Sequence, residues 1–133
     1  MELRIYYDDT DTGGVVYHAN YLKYFERGRT EYMLKRGVDP AEMAKKGQVF
    51  VVVWTELFYL SPARLGDTII IEAFLDEISG ASIIFSYKVF LKNKVPENNK
   101  LLVTGKTKLA LVDPDMKIQR FSANLLNNLK SVL

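Results

Sequence analysis

The sequence predicts an α+β domain in which one long helix packs against a curved antiparallel sheet. Apolar residues recur every three or four positions in one early segment, from His18 or Asn20 to Arg36, which is the period of an amphipathic helix. Between Gln48 and Asp113, β-branched and aromatic runs alternate with turn signals, which predicts strands. Since the apolar face of such a sheet needs a partner, the long helix is expected to cover it.

The chain begins with a short predicted strand, Leu3 to Tyr7, which stops at the acidic, glycine-containing stretch 8–14. The long helix follows, and Gly37 is a suitable left-handed residue to end it. Gly28 lies inside this helix, where glycine costs about 1 kcal/mol relative to alanine. This cost indicates that another element packs closely against Gly28.

The remaining elements are a short helix, four long strands and a closing helix. Asp39, Pro40 and Gly47 give the start and stop signals of the short helix. The strands are predicted over 48–60, 68–78, 81–92 and 101–112, and the closing helix over 121–133. Ser79-Gly80 is the tightest break and predicts a hairpin turn. With no repeat or linker in the chain, residues 1–133 are expected to form a single domain.

The composition narrows the possible chemistry. The 133 residues include no cysteine and one histidine, His18, and the net charge is +2. Thiol chemistry, disulfides and the common zinc sites are therefore excluded, and a phosphate-binding nucleic-acid protein is disfavoured. The charged N-terminal stretch lacks the apolar core of a signal peptide, and the longest apolar run, 49–54, is too short to span a membrane. A cytoplasmic location is expected.

The most informative stretch is an acidic loop followed by a helix start. Asp8, Asp9 and Asp11 precede Gly13-Gly14 and then His18. An ionised carboxylate can act as nucleophile or base, and glycines let a backbone approach a ligand. The free amides of a helix N-terminus can hold a developing oxyanion. Together these are the parts needed for acyl transfer.

Two other interpretations of this loop stand beside acyl transfer. The aspartates and glycines can simply form an Asx-rich turn with a helix cap. A calcium loop of the EF-hand type needs a glutamate at its twelfth position. Counted from Asp9, that position is Asn20, so the calcium interpretation fails and no metal site is predicted.

Residues 6–21, continued by 24–31, resemble the signature of the hotdog-fold acyl-CoA thioesterases. They are most similar to the YbgC-like branch, which is related to 4-hydroxybenzoyl-CoA thioesterase. The resemblance continues through 50–52, 59–67 and 112–114, so it covers nearly the whole chain. It implies a long helix wrapped by an antiparallel sheet of five or more strands. It also implies assembly into a homodimer or homotetramer, consistent with the strands that are apolar on both faces.

The resemblance also implies site residues and a reaction. Asp11 is the expected catalytic carboxylate, as nucleophile or general base, and the backbone amide of His18 is expected to polarise the thioester carbonyl. Gly14, Tyr17 and Tyr21 are expected to contact the substrate. The reaction is hydrolysis of an acyl-CoA thioester, or of an acyl carrier protein thioester, to free acid and thiol. No cofactor is expected, because coenzyme A is part of the substrate.

Some assignments stay open at this point. Asp9 is expected to be structural, whereas Glu26 could share the catalytic role, because a different hotdog branch places a catalytic glutamate on the central helix. The basic residues that could hold the phosphates of coenzyme A are Arg64, Lys88, Lys92 and Lys106. The alternative functions are a hotdog dehydratase or hydratase acting on acyl thioesters, and a non-catalytic acyl-thioester-binding or scaffold protein.

Overall fold

The computed structural model describes residues 1–133, which form three α-helices and one five-stranded sheet. The helices are α1 (Asn20–Leu34), α2 (Pro40–Lys45) and α3 (Ala123–Lys130). The strands are β1 (Glu2–Arg4), β2 (Val49–Tyr59), β3 (Thr68–Ile78), β4 (Ser82–Leu91) and β5 (Lys100–Val112). Short 3₁₀ turns lie at Tyr7–Asp9 and Pro96–Asn98. This combination of helices and an antiparallel sheet confirms the predicted α+β class.

The five strands form one antiparallel sheet in the order β1-β3-β4-β5-β2. The predicted hairpin turn is present between β3 and β4, where the Ser79 N–H donates to the Ser82 carbonyl at 2.9 Å. Strand β2 lies at one edge and pairs with β5 alone. Its register shifts between Val52 and Trp54, which marks a β-bulge in this edge strand.

Helix α1 buries one side against the sheet, as the apolar spacing predicts. Its buried residues are Tyr21, Tyr24, Phe25, Gly28 and Met33. The Phe25 ring stacks on Tyr87 of β4 with ring centroids 4.1 Å apart. A Cβ placed on Gly28 would lie only 2.8 Å from the Ile71 Cγ2 atom of β3. The close packing predicted at Gly28 is therefore confirmed.

Strand β1 is shorter than predicted, because it ends at Arg4 rather than Tyr7. Ile5 exchanges backbone hydrogen bonds with the loop before β3, donating to the Asp67 carbonyl at 2.8 Å. The next N–H, that of Tyr6, donates to the Asp9 Oδ2 atom at 2.9 Å. This bond between a side chain and the backbone turns residues 7–9 into a 3₁₀ turn and stops the strand.

Helix α1 begins at Asn20, one of the two predicted starts, and ends at Leu34, two residues before Arg36. Gly37 adopts the left-handed conformation, with φ of 76°, and the Val38 N–H donates back to the Met33 carbonyl at 2.9 Å. These are the features of a glycine-terminated helix. Gly37 therefore acts as the predicted stop, with the last turn already outside the regular helix.

Helix α3 and the edge strand β2 differ in how well their apolar side chains are buried. Helix α3 buries Leu129, whose carbonyl accepts a hydrogen bond of 3.0 Å from the Tyr32 hydroxyl of α1. The edge strand β2 and the residue after it are open instead, with exposed side chains at Val52, Val53, Trp54, Phe58, Tyr59 and Leu60. None of the three α-helices is both long enough and apolar enough to cross a membrane.

Candidate active site

The acidic loop folds into a tight turn that is closed by backbone hydrogen bonds. The Asp11 N–H donates to the Val15 carbonyl at 2.9 Å, and the Gly14 N–H donates to the Asp11 carbonyl at 3.1 Å. Gly14 has a φ of 78°, a conformation that residues with a Cβ rarely adopt. The Gly14 carbonyl accepts from the Leu65 N–H at 3.2 Å, which fastens the turn to the loop before β3.

Asp11 lies at this turn with an exposed side chain. Its Oδ1 atom accepts the Gly13 N–H at 2.8 Å, in the manner of an Asx turn. A Cβ on Gly13 would lie 3.2 Å from the same oxygen, so a glycine there leaves room for the carboxylate. No salt bridge holds Asp11. The carboxylate is therefore oriented by one backbone amide and is open to solvent.

Asp9 has a structural role, as expected. Its carboxylate accepts the Tyr6 N–H, and its carbonyl accepts both the Tyr17 N–H at 2.9 Å and the Asn20 side-chain amide at 2.7 Å. The carbonyl thus ties the acidic loop to the residues that open α1. Because of these bonds, the turn that carries Asp11 and the first turn of the helix form one hydrogen-bonded unit.

His18 lies just before α1 and is exposed. Its ring lies beside Tyr17, with ring centroids 4.6 Å apart, and edge-on to Tyr59 at 6.5 Å. The helix has no side-chain cap at Ala19, and the His18 N–H donates no backbone hydrogen bond within the chain. This amide is therefore free at the positive end of the helix dipole, where an anionic oxygen is stabilised.

A cleft of about 220 Å³ opens beside His18. It is lined by Val16, His18, Tyr21, Tyr59, Leu60, Ser61 and Pro62. Tyr21 is buried, and its hydroxyl oxygen accepts the Ala63 N–H at 3.4 Å. Burial raises the pKa of Tyr21, although the Ala63 amide partly opposes this effect. The cleft therefore presents a neutral phenol, aromatic rings and one imidazole next to the free helix amide.

The structure brings some of the predicted site residues together. His18 and Tyr21 line the cleft, and Tyr17 contacts the His18 ring. Asp11 and Gly14 do not line it, but lie on the turn that Asp9 ties to the start of α1. Their roles in catalysis and substrate binding stay predictions.

Tyr59, at the end of β2, has a place in the cleft that the sequence did not predict. Its hydroxyl donates to the His18 carbonyl at 3.0 Å, and its ring is edge-on to that of Tyr21. The available signal was a tyrosine at the end of a strand, directly before the turn at Pro62. Such a signal marks a strand end and gives no indication of a partner 41 positions away.

The other candidate residues lie outside this cleft. Glu26 is exposed on α1 and accepts the Thr30 hydroxyl at 3.0 Å. Lys92 pairs with Glu2, and Lys106 pairs with Asp76, each with an N···O distance of 2.9 Å. The backbone of Arg64 forms a bridge with that of Val15 in the acidic loop. Of the four basic candidates, Arg64 is thus the one joined to the turn that carries Asp11.

A comparison with known protein families identifies the family of this chain. The family model described as the thioesterase superfamily matches residues 13–96, which include the two glycines that end the acidic loop, helices α1 and α2, and strands β2 to β4. The chain belongs to the thioesterase superfamily. Membership in this superfamily confirms the family expected from residues 6–21.

Several proteins that are similar to this member of the thioesterase superfamily are named for an enzymatic activity. It is 38% identical over 112 residues to the acyl-CoA thioesterase YbgC of Haemophilus influenzae, covering 84% of this chain and 78% of that protein. A solved structure of a probable thioesterase from Bartonella henselae is 31% identical, with a TM-score of 0.83, over 92% of this chain and 97% of that one. The expected resemblance to the YbgC-like acyl-CoA thioesterases is confirmed, and with it the expectation of an enzyme of the thioesterase class.

A more distant structure shares the fold. The 4-hydroxybenzoyl CoA thioesterase from Pseudomonas sp. strain CBS-3 is 19% identical, with a TM-score of 0.85, over 96% of each chain. At this identity the likeness concerns the fold alone. The expected hotdog fold, a long helix wrapped by a five-stranded antiparallel sheet, is confirmed.

Proposed function

We propose that this protein hydrolyses acyl-CoA thioesters to the free acid and coenzyme A, with Asp11 as the catalytic carboxylate. The observation that carries the proposal is the unit built around the Asp9 carbonyl. This unit holds an exposed carboxylate, that of Asp11, on the same short segment as a helix N-terminus with a free amide, that of His18. A carboxylate can supply the nucleophile or base for thioester hydrolysis, and an amide of this kind can stabilise the oxyanion that forms.

The proposed chemistry has two routes that share one stabilising contact. The Asp11 carboxylate either attacks the thioester carbon, giving an acyl anhydride that water then hydrolyses, or takes a proton from a water that attacks the same carbon. In both routes the carbon–sulfur bond breaks, and coenzyme A leaves as the thiolate. The carbonyl oxygen gains negative charge as attack proceeds, and the His18 N–H holds it at the positive end of α1.

The proposed active unit is a homodimer or a homotetramer. Strand β2 is an edge strand, and Val53, Trp54 and Phe58 expose large apolar surfaces on it. An edge with both unpaired backbone groups and apolar side chains favours pairing with another strand. A second copy offers the same edge, which suits two-fold pairing. Because Tyr59 ends this strand and lines the cleft, pairing of β2 would place the partner beside the site.

The test of the function is thiol release from acyl-CoA esters that range from acetyl to palmitoyl and include aromatic acyl groups. Asp11→Asn keeps the side-chain shape and removes the charge. We expect it to lower kcat at least about 100-fold, which corresponds to about 2.7 kcal/mol of transition-state stabilisation. Hydrolysis at near wild-type rates by Asp11→Asn would contradict the assignment.

Asp8→Asn is the matched control, because Asp8 is an exposed aspartate of the same loop and its replacement changes the net charge equally. It is expected to keep wild-type activity.

Glu26→Gln tests the second candidate carboxylate. A loss confined to Glu26→Gln would move the site to the helix. Hydrolysis is proposed to need no cofactor, so activity after dialysis against a metal chelator is expected to be unchanged.

A further inference from the structure

Tyr59 is the one side chain that forms a hydrogen bond with the His18 carbonyl, just before α1. It is the last residue of β2, and its hydroxyl donates to the His18 carbonyl at 3.0 Å across 41 positions of sequence. Its ring is also edge-on to Tyr21, with ring centroids 5.8 Å apart. The edge strand of the sheet is therefore joined directly to the residue that carries the free amide.

This hydrogen bond takes the place of a helical one. In a regular α-helix the His18 carbonyl would accept the N–H of Leu22, four residues later. The Leu22 N–H instead donates to the Ala19 carbonyl at 3.2 Å, and the Asn20 N–H donates to the Tyr17 carbonyl at 2.9 Å. The first turn is thus wound in the tighter i to i+3 pattern. The His18 carbonyl is left out of the helix and is satisfied by Tyr59.

The other fixed points of this segment lie on either side of His18. The Asp9 carbonyl holds the Tyr17 N–H and the Asn20 side chain, and the Asn20 N–H holds the Tyr17 carbonyl, which shares a peptide group with the His18 N–H. No side chain caps the helix start, so the next peptide group, formed by the His18 carbonyl and the Ala19 N–H, is held by the Tyr59 hydroxyl alone. The Asn20 N–H therefore fixes the backbone before the His18 Cα atom, and the Tyr59 hydroxyl fixes the backbone after it.

We propose that Tyr59 is a positioning residue, which holds the His18 carbonyl and so keeps the turn that carries the free His18 amide in one conformation. This inference rests on the proposed function, in which that amide receives the developing oxyanion. A hydrogen-bond donor must lie close to the position of the oxyanion to stabilise it, and a misplacement of about 1 Å can lower a rate by as much as about 100-fold. Tyr59 acts through His18 and takes no part in bond making.

The test is Tyr59→Phe, which removes the hydroxyl and keeps the ring that packs on Tyr21. We expect kcat for thiol release to fall about 10-fold, with KM changed less than about twofold, because orientation matters in the transition state more than in substrate binding. Tyr32→Phe is the matched control. It removes a hydroxyl of α1 that donates to the Leu129 carbonyl, and is expected to keep kcat while lowering the melting temperature.

Three outcomes of the kinetic test would overturn the proposal. If kcat for Tyr59→Phe stays within about twofold of wild type, the hydrogen bond does not position the amide. If KM rises while kcat is unchanged, Tyr59 contacts the substrate and positions nothing. A fall in kcat accompanied by an equal fall in Tyr32→Phe would also overturn it, since the effect would then be a general loss of stability.

A second measurement does not depend on catalysis. Backbone ¹⁵N order parameters of His18 and Ala19 are expected to fall in Tyr59→Phe and to stay at wild-type values in Tyr32→Phe. Unchanged order parameters would refute the positioning role even in an active enzyme. A wild-type protein that releases no thiol refutes the proposed function, and the order parameters still report whether Tyr59 holds the turn.

Discussion

Tyr24 carries a buried hydroxyl with no hydrogen-bond partner. Its ring lies inside the core, edge-on to Tyr21 at a centroid distance of 5.6 Å. Burial raises the pKa of Tyr24 well above its usual range, and the nearby Asp9 carboxylate raises it further. A buried polar group without a partner costs about 1–3 kcal/mol of stability. The hydroxyl of Tyr24 is thus expected to be a net cost to the fold, although the Asp9 carboxylate lies close enough to affect its pKa.

Tyr24→Phe is therefore expected to raise the free energy of unfolding by about 1 kcal/mol, since it removes the unpaired hydroxyl and keeps the ring. Urea denaturation at pH 7 measures the change. Tyr32→Phe serves as the comparison, because its hydroxyl is paired and its loss is expected to lower the free energy of unfolding by a similar amount. Equal destabilisation by both substitutions would mean that Tyr24 has a partner in solution.

The backbone amide and the imidazole of His18 can be tested separately. His18→Ala removes the imidazole and keeps the N–H, so we expect kcat for thiol release to fall less than about threefold. Steady-state kinetics with the best acyl-CoA ester measure the effect. A larger loss, with the melting temperature unchanged, would assign a direct role to the imidazole, such as orienting water or contacting the acyl group.

At the scale of elements, α1 and β3 are held together through Gly28. Replacing a helical glycine by alanine normally stabilises a helix by about 1 kcal/mol. At Gly28 the new Cβ would lie 2.8 Å from a buried side chain, that of Ile71, so the helix and the strand would have to separate. The packing effect is expected to exceed the helix-propensity effect.

Gly28→Ala is accordingly expected to lower the free energy of unfolding by about 1–3 kcal/mol, the usual range for overpacking a core. Denaturant unfolding checks the sign. Lys23→Ala, at an exposed position of the same helix, is the control and should change stability by less than about 0.5 kcal/mol. A Gly28→Ala protein more stable than wild type would show that Ile71 can move aside.

Sequence patterns predict the long elements well, because their signals are local. The predicted strand 68–78 matches Thr68–Ile78, and the predicted helix differs from Asn20–Leu34 only at its ends. Strand β1 was predicted too long, because its end depends on the Asp9 side chain and the loop before β3. The pairing of β2 with β5 and the bond from Tyr59 to His18 join distant segments, and no local pattern encodes them.

At the scale of the whole molecule, three buried tyrosines link stability to alkaline pH. Burial raises the pKa values of Tyr21, Tyr24 and Tyr87. Above about pH 10 an unfolded tyrosine releases its proton, while the folded protein retains it. The unfolded state then binds fewer protons, so stability falls as pH rises. Below that pH both states are protonated and these groups have no effect.

The melting temperature is therefore expected to fall steeply as the pH is raised above about 10. Thermal unfolding followed from pH 8 to about pH 11.5 measures the slope. Tyr87→Phe removes one of the three groups and should make the slope shallower. Tyr7→Phe, at an exposed tyrosine, should leave it unchanged. Identical slopes for the wild type and Tyr87→Phe would contradict the role assigned to burial.

Assembly through β2 is a prediction about the whole molecule as well. Val53 is 53% exposed on the edge strand and lies at the bulge, so Val53→Lys adds a charge to the proposed interface with little effect on the pairing to β5. Sedimentation analysis is expected to give two or four times the chain mass of 15.2 kDa for the wild type, and one for Val53→Lys. The rate of thiol release by Val53→Lys should fall as the protein dissociates.

Val95→Lys is the control for assembly, because Val95 is 48% exposed in the loop between β4 and β5. It should leave both mass and activity unchanged. A monomeric, active wild-type protein would refute the dimer.

Two further expectations stay predictions: residues 1–133 form one domain, and the protein is cytoplasmic.

The edge position of β2 also sets an order of events during folding. The β3–β4 hairpin joins neighbours in sequence, so it can form quickly, whereas β2 has no strand beside it until β5 arrives from beyond that hairpin. Contacts between segments far apart in the chain close slowly. We therefore expect Tyr59 to be anchored late, so that the turn before α1 becomes rigid only after the sheet is complete. A chain that has folded only in part would contain the proposed catalytic carboxylate, Asp11, but would lack the geometry to use it.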